Sequence, residues 1–166
     1  MVLGLSLAAF TRLHVVISLI GIVSGLVVML GLFAGRRLDA VTAVFLVTTV
    51  LTSVTGFFFP VAHLLPSHVV GLISLVVLAV CLLARYGRSL VGGWRRTYVI
   101  SAAVALYLNC FVLVVQSFLK VPSLHALAPK GNEPPFAVAQ LVVLVLFAAL
   151  TTVAARRVAA RGLDAA

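Results

Sequence analysis

Four histidines are the residues best suited to chemistry in this chain, and they occur as two matched pairs. His14 opens an apolar run as His-Val-Val, and His68 does the same. His63 closes a Pro-Val-Ala-His string after Pro60, and His125 closes Pro-Ser-Leu-His after Pro122. Neutral imidazole is a common nitrogen ligand for transition metals and haem iron. The pattern therefore allows His14 and His68 as the two axial ligands of a b-type haem, one from each of two facing helices. It also allows all four, His14, His63, His68 and His125, around a transition metal. A third reading is a quinone pocket. There His63, His68, Gln116 and Lys120 would supply hydrogen bonds to the headgroup, and Phe57–Phe59 an apolar wall. The structural alternative is that the imidazoles are polar anchors at a membrane surface. All of these stay open at the level of sequence. There is no His-x-x-x-His and no Cys-x-x-Cys-His to favour the metal or haem readings.

These residues sit between long apolar stretches. With 64% hydrophobic residues, 9% charged residues and a mean hydropathy of +1.31, the composition matches no soluble class. A spanning helix needs roughly 20 mostly apolar residues. Stretches of that kind cover His14–Gly35, Ala43–Pro60, Val69–Ala84, Tyr98–Leu119 and Phe136–Ala155. Their apolar runs are continuous, unlike the alternating strands of a membrane barrel. The expectation is an all-α polytopic bundle of five spans, forming one domain over residues 1–166. Met1–Phe10 lacks a basic flank and a small-residue cleavage site, so it is expected at the interface or as an extension of the first helix.

The basic residues carry the topology. Arg36, Arg37, Arg85, Arg88, Arg95, Arg96, Arg156, Arg157 and Arg161 fall at one end of the spans. Only Arg12, Lys120 and Lys130 fall at the other. By the positive-inside rule the first end is cytoplasmic, the N-terminus outside and the C-terminus inside. Trp94 and Tyr98 are expected as aromatic anchors at that inner boundary. The net charge of +9 is spread over short loops, which fits anionic lipid better than nucleic acid.

Hairpin one (spans one and two) and hairpin two (spans three and four) share the His-Val-Val start, an arginine-bearing inner turn and a Pro-x-x-His finish. This is the pattern of a parallel duplication, with the fifth helix outside it. Gly21 and Gly25 put small residues on one helix face, suited to packing within the bundle or to self-association. Asp39 is expected to cap the second helix, and Ser67 the third. Asn109, Gln116 and Lys120 share one face of span four, which should turn inward or toward the outer surface. In the loop from Pro122 to Pro135 the prolines imply a fixed, folded-back path. Asn132 or Glu133 would cap span five, with Pro134 and Pro135 in its first turn. Cys81 and Cys110 read as small packing residues.

Enzymatic readings lack support. There is no Gly-x-Ser-x-Gly or zinc-protease motif. Asp39 and Asp164 are assigned to one side and Glu133 to the other, so no carboxylate pair can share a site. Intramembrane acids of the kind that drive ion-coupled transport are also missing from the spans.

The strings HVVISLIGIVSGLVV, TSVTGFFFP, SHVVGLISLVVLA, ALYLNCFVLVVQSFLKVP and EPPFAVAQLVVLVLF resemble uncharacterised small polytopic proteins of the bacterial inner membrane. The resemblance runs from about Phe10 to Arg157. It implies that membrane as the location and attaches no activity or catalytic residue. The resulting expectation is a non-enzymatic accessory or ligand-binding component, working with larger membrane partners. Its outer-face polar cluster would comprise His14, His63, His68, Lys120, His125 and Glu133. The rival is a redox protein using the histidines for haem, metal or quinone.

Overall fold

The computed structural model describes residues 1–60, 66–161 and 164–165, so His63 lies outside the described residues. The helices are α1 (Leu7–Phe33), α2 (Asp39–Gly56), α3 (Pro66–Leu82), α4 (Trp94–Lys120), the short α5 (Pro122–Leu127) and α6 (Pro134–Arg161). A π-helical turn, Leu83–Gly87, continues α3. Five of these helices are long and apolar enough to cross a bilayer, the third when the π-turn is included. The protein is an all-α bundle of the multi-pass membrane type. Two-residue segments β1 (Arg36–Arg37) and β2 (Asp164–Ala165) pair in parallel and tie the C-terminal tail to the α1–α2 turn.

Helix starts differ from expectation where local capping outweighs hydropathy. α1 begins at Leu7, because the Ser6 hydroxyl accepts the Ala9 amide at 3.2 Å and caps the helix. His14 is therefore the eighth residue of α1, about 10 Å along its axis, rather than its first. α3 begins at Pro66, so Ser67 is already helical and His68 is its third residue. Leu38, not Asp39, occupies the N-cap of α2 and makes no side-chain cap bond. Asp39 turns instead to the arginines of the same end. Arg85 Nη2 donates to its Oδ1 at 2.5 Å, and Arg37 Nε stands 3.2 Å from the same oxygen.

α4 is the central helix, packed against α1, α2, α3, α5 and α6. In lipid the hydrophobic effect does not press helices together, so close packing and interhelical hydrogen bonds must. The α4 face supplies Ala102, Ala103 and Ala105, all buried, which let neighbours approach. Gly25 of α1 meets it from the other side. A Cβ there would stand 2.6 Å from Leu106 and 2.8 Å from Phe45. Gly21, one turn earlier, packs on Thr48 and Thr49 of α2. Both glycines are thus used in packing inside the bundle.

Several hydroxyls inside the spans are satisfied by their own helix. Ser24, Thr48, Thr55, Ser101 and Thr152 each donate to the carbonyl one turn back, at 2.6–2.7 Å. Across helices, Asn109 Nδ2 donates to Thr49 Oγ1 (3.3 Å) and Gln140 Nε2 to the Phe111 carbonyl (3.2 Å). Tyr98 is fully buried, its hydroxyl 3.5 Å from Thr42 Oγ1, so it is a core residue and not an interfacial anchor. Cys81 is buried and Cys110 partly so, both as free thiols.

The loop from Pro122 to Pro135 is folded back, as its prolines imply. α5 occupies its first half, and His125 Nδ1 donates to the Phe118 carbonyl at 3.3 Å, tying α5 onto the end of α4. The Glu133 carbonyl accepts the Phe136 and Ala137 amides and so starts α6. Its side chain accepts from the Lys130 amide (2.9 Å) and the Asn132 amide (3.1 Å) within the loop. These bonds hold the Glu133 carboxyl below its ordinary pKa, the Lys130 amide contributing most.

Candidate functional site

α1, α2, α3 and α4 leave a polar cavity of about 100 Å³ between them, at the end of the bundle opposite the arginines. His14 and His68 both line it, joined by Ser18, Thr52, Ser53 and Asn109. The reasons are local. His14 lies two turns inside α1, deep enough to look into the bundle. His68, at the start of α3, is held against the ring of Phe57 with centroids 5.6 Å apart, and is 9% exposed. The matched His-Val-Val strings therefore sit at different distances from their helix starts, yet both reach one site.

The His14 imidazole is fixed on two sides. Its Nδ1 is 2.8 Å from Thr55 Oγ1, and its ring stands edge-on to Phe59, centroids 5.2 Å apart. Thr55 has a single hydroxyl proton, and that proton is committed to the Leu51 carbonyl at 2.6 Å. Towards His14 the Thr55 oxygen can then only accept. The hydrogen-bond network accordingly assigns His14 as the Nδ1–H tautomer, with the lone pair on Nε2. An orienting bond on one ring nitrogen is the arrangement that readies the other to ligate a metal or accept a proton.

The rest of the lining mixes hydroxyls and an amide with the apolar side chains of Phe57, Val70, Leu108 and Val112. Ser53 and Asn109 are 7% exposed and Ser74 is 4% exposed. Thr52 Oγ1 is buried without a hydrogen-bond partner. Donors and acceptors thus converge on a space that, at roughly 30 Å³ per water, accommodates about three water molecules or one small polar molecule. Ligand pockets for larger organic molecules span roughly 300–1,000 Å³.

Of the residues singled out in the sequence, His14 and His68 meet in this cavity. Gln116 and Lys120 are exposed on α4 beyond it, and neither lines the cavity. His125 is exposed and engaged with Phe118. Glu133 is occupied within its own loop. The six-residue outer cluster is thus divided, and of its described members only the two deepest histidines come together. Among the described residues no three metal-ligating side chains group together. Ser18, Thr52 and Ser53 were not anticipated as site residues. Thr52 and Ser53 could be seen only as members of a hydroxyl-rich helix, since their direction depends on helix rotation.

Comparison with known proteins finds no matching family model, no similar curated protein and no similar solved structure.

Proposed function

We propose that this is a non-enzymatic integral membrane protein of the bacterial inner membrane that holds a small polar ligand between His14 and His68. It would serve as an accessory component to a larger membrane complex. The observation that carries the reading is the convergence of two histidines, from different helices, on one polar cavity. The Thr52 hydroxyl oxygen on its wall is buried without a hydrogen-bond partner, and a buried polar group left so costs free energy unless something in the cavity satisfies it. A small hydrogen-bonding ligand, or water passing a proton between the imidazoles, does so.

The lipid bilayer is the protein's first partner. Val138, Leu141, Val142, Val145 and Leu146 of α6 are all more than half exposed, as a lipid-facing surface requires. The arginines gathered at the far end support a cytoplasmic C-terminus and an outside cavity. A reporter fused after Ala166 should read cytoplasmic, and an external reading would reverse the orientation.

The same convergence favours one second reading, a transition metal held by His14 Nε2 and His68 with hydroxyl or water ligands. Metal analysis of protein purified in mild detergent separates the two. Stoichiometric metal, lost on replacing both histidines, selects the metal reading. Metal-free protein selects the polar ligand. A b-type haem is larger than about 100 Å³ and would need the four helices to part. A haem band in the visible spectrum would therefore count against the cavity as the site.

A further inference from the structure

The other end of the bundle holds a second and larger cavity, of about 450 Å³, lined by Arg37, Asp39, Arg85, Tyr86, Ser89 and Leu90. From it we propose that the protein binds a phosphate-bearing anion through Arg85 and Arg37.

The inference rests on the state of Arg85. Its side chain is 6% exposed, deep burial for a permanently charged group. Nη2 is satisfied by Asp39, and the guanidinium packs over the rings of Tyr98 (5.2 Å) and Tyr86 (5.5 Å). Its Nε and Nη1 are buried and have no hydrogen-bond partner. Arg37 Nε, though close enough to Asp39 for an ion pair, also lacks a hydrogen bond. Two arginines thus share one carboxylate oxygen, which leaves one positive charge in excess and three donor nitrogens unfilled. An anion with several acceptor oxygens answers both needs, and planar guanidinium forks match phosphate oxygens in geometry.

The backbone around the cavity points the same way. Arg85 and Tyr86 lie on the π-helical turn, a rare conformation found often at functional sites. Ser89 and Leu90 follow with φ of 48° and 59°, the left-handed region that non-glycine residues seldom occupy. Strain of this kind persists where surrounding structure enforces it, and it gathers at ligand clamps. Here the Leu90 carbonyl is held by Arg95 Nε at 2.9 Å, and its amide by the Ala84 carbonyl at 3.2 Å. The first residue of α2 also borders the cavity, adding the positive end of a helix dipole. Basic pockets between spanning helices, at the level of lipid headgroups, are suited to anionic headgroups.

The phosphate group can come from a phospholipid headgroup or from inorganic phosphate, and binding to full-length protein in maltoside micelles distinguishes them. Short-chain phosphatidylglycerol and labelled inorganic phosphate are titrated separately against wild type, Arg85→Gln and Arg37→Gln. Wild type should bind at least one probe. Arg37→Gln should weaken that binding about tenfold and Arg85→Gln should abolish it, as expected for charge-assisted bonds. Binding of phosphatidylglycerol alone identifies the headgroup as the source, and binding of phosphate alone identifies the free ion. Arg37 is a third exposed, so its replacement should leave the helical content unchanged and decides the matter if Arg85→Gln does not fold. If wild type binds neither probe, or Arg37→Gln binds as wild type does, the proposal is overturned.

Discussion

Thr55 holds His14 by accepting its Nδ1–H at 2.8 Å while spending its own proton on the Leu51 carbonyl. The relationship sets both the tautomer and the direction of the imidazole, so Thr55 governs the site without lining it. Thr55→Val keeps the side-chain shape and removes the acceptor. It should cost about 1 kcal/mol of stability, the net worth of one such hydrogen bond. It should also shift the 15N resonances of His14 toward a mixture of tautomers, while Thr48→Val, at a hydroxyl not bonded to His14, should leave them in place.

Close helix approach at Gly25 makes a sharper prediction. Gly25→Ala drives a Cβ to 2.6 Å from Leu106 and 2.8 Å from Phe45, so these buried side chains or α1 itself must shift. The expected loss is about 1–3 kcal/mol, the usual range for overpacking. Gly56→Ala is the control, since its Cβ meets nothing nearer than His14 Cε1 at 4.0 Å. Thermal unfolding in micelles should separate the two. Equal stability would mean that α1 does not pack as described.

Among the described residues Asp39 carries the counter-charge to Arg85, whose guanidinium otherwise packs on aromatic rings, and its loss should be felt. Asp39→Asn leaves a buried guanidinium without its counter-charge. It should destabilise by about 2 kcal/mol, the worth of a hydrogen bond to a charged group. Asp39→Asn combined with Arg85→Met should recover part of that loss, because no buried charge is then left alone. Denaturation of the single and double variants in the same detergent measures the recovery.

The Glu133 loop gives a pH dependence with a definite sign. The carboxyl is held below its ordinary value of 4.5 by the Lys130 amide and then by other loop amides. A lowered carboxylate pKa stabilises the loop fully above the unfolded value and loses that contribution as pH falls through the folded one. Amide exchange at Lys130 and Asn132 should therefore be slow at neutral pH, after allowing for the intrinsic pH dependence of exchange. Protection should fall off below about pH 4.5. In Glu133→Gln the two amides should show no such fall.

Hydropathy alone was enough to read the five long helices and the shared end of the arginines. The pairing of His14 with His68 could be anticipated from the repeated His-Val-Val, although the repeat misplaced their depth. What the sequence did not reveal was rotation. The pattern of α1 marks Gly21 and Gly25 as a packing face, but it does not say which neighbour they meet, nor that His14 reaches the cavity while Leu30 turns out. Tyr98 has the composition of an interfacial anchor, and only the partners Thr42 and Arg85 make it a core residue. Arg85 was one arginine among nine read for topology. It is buried on the π-turn, which hydropathy does not register. Gln116 and Lys120 lie on the polar face with Asn109, but further along α4, where the face has left the cavity.

Native mass spectrometry of the protein extracted from membranes in mild detergent tests the central claim most directly. Wild type should carry a small polar adduct, of a size suited to about 100 Å³, that is absent after His14→Ala and His68→Ala are combined. An adduct of haem mass, or an adduct that survives loss of both histidines, would contradict the His14–His68 cavity as the functional site. So would a wild type that carries nothing beyond lipid and detergent.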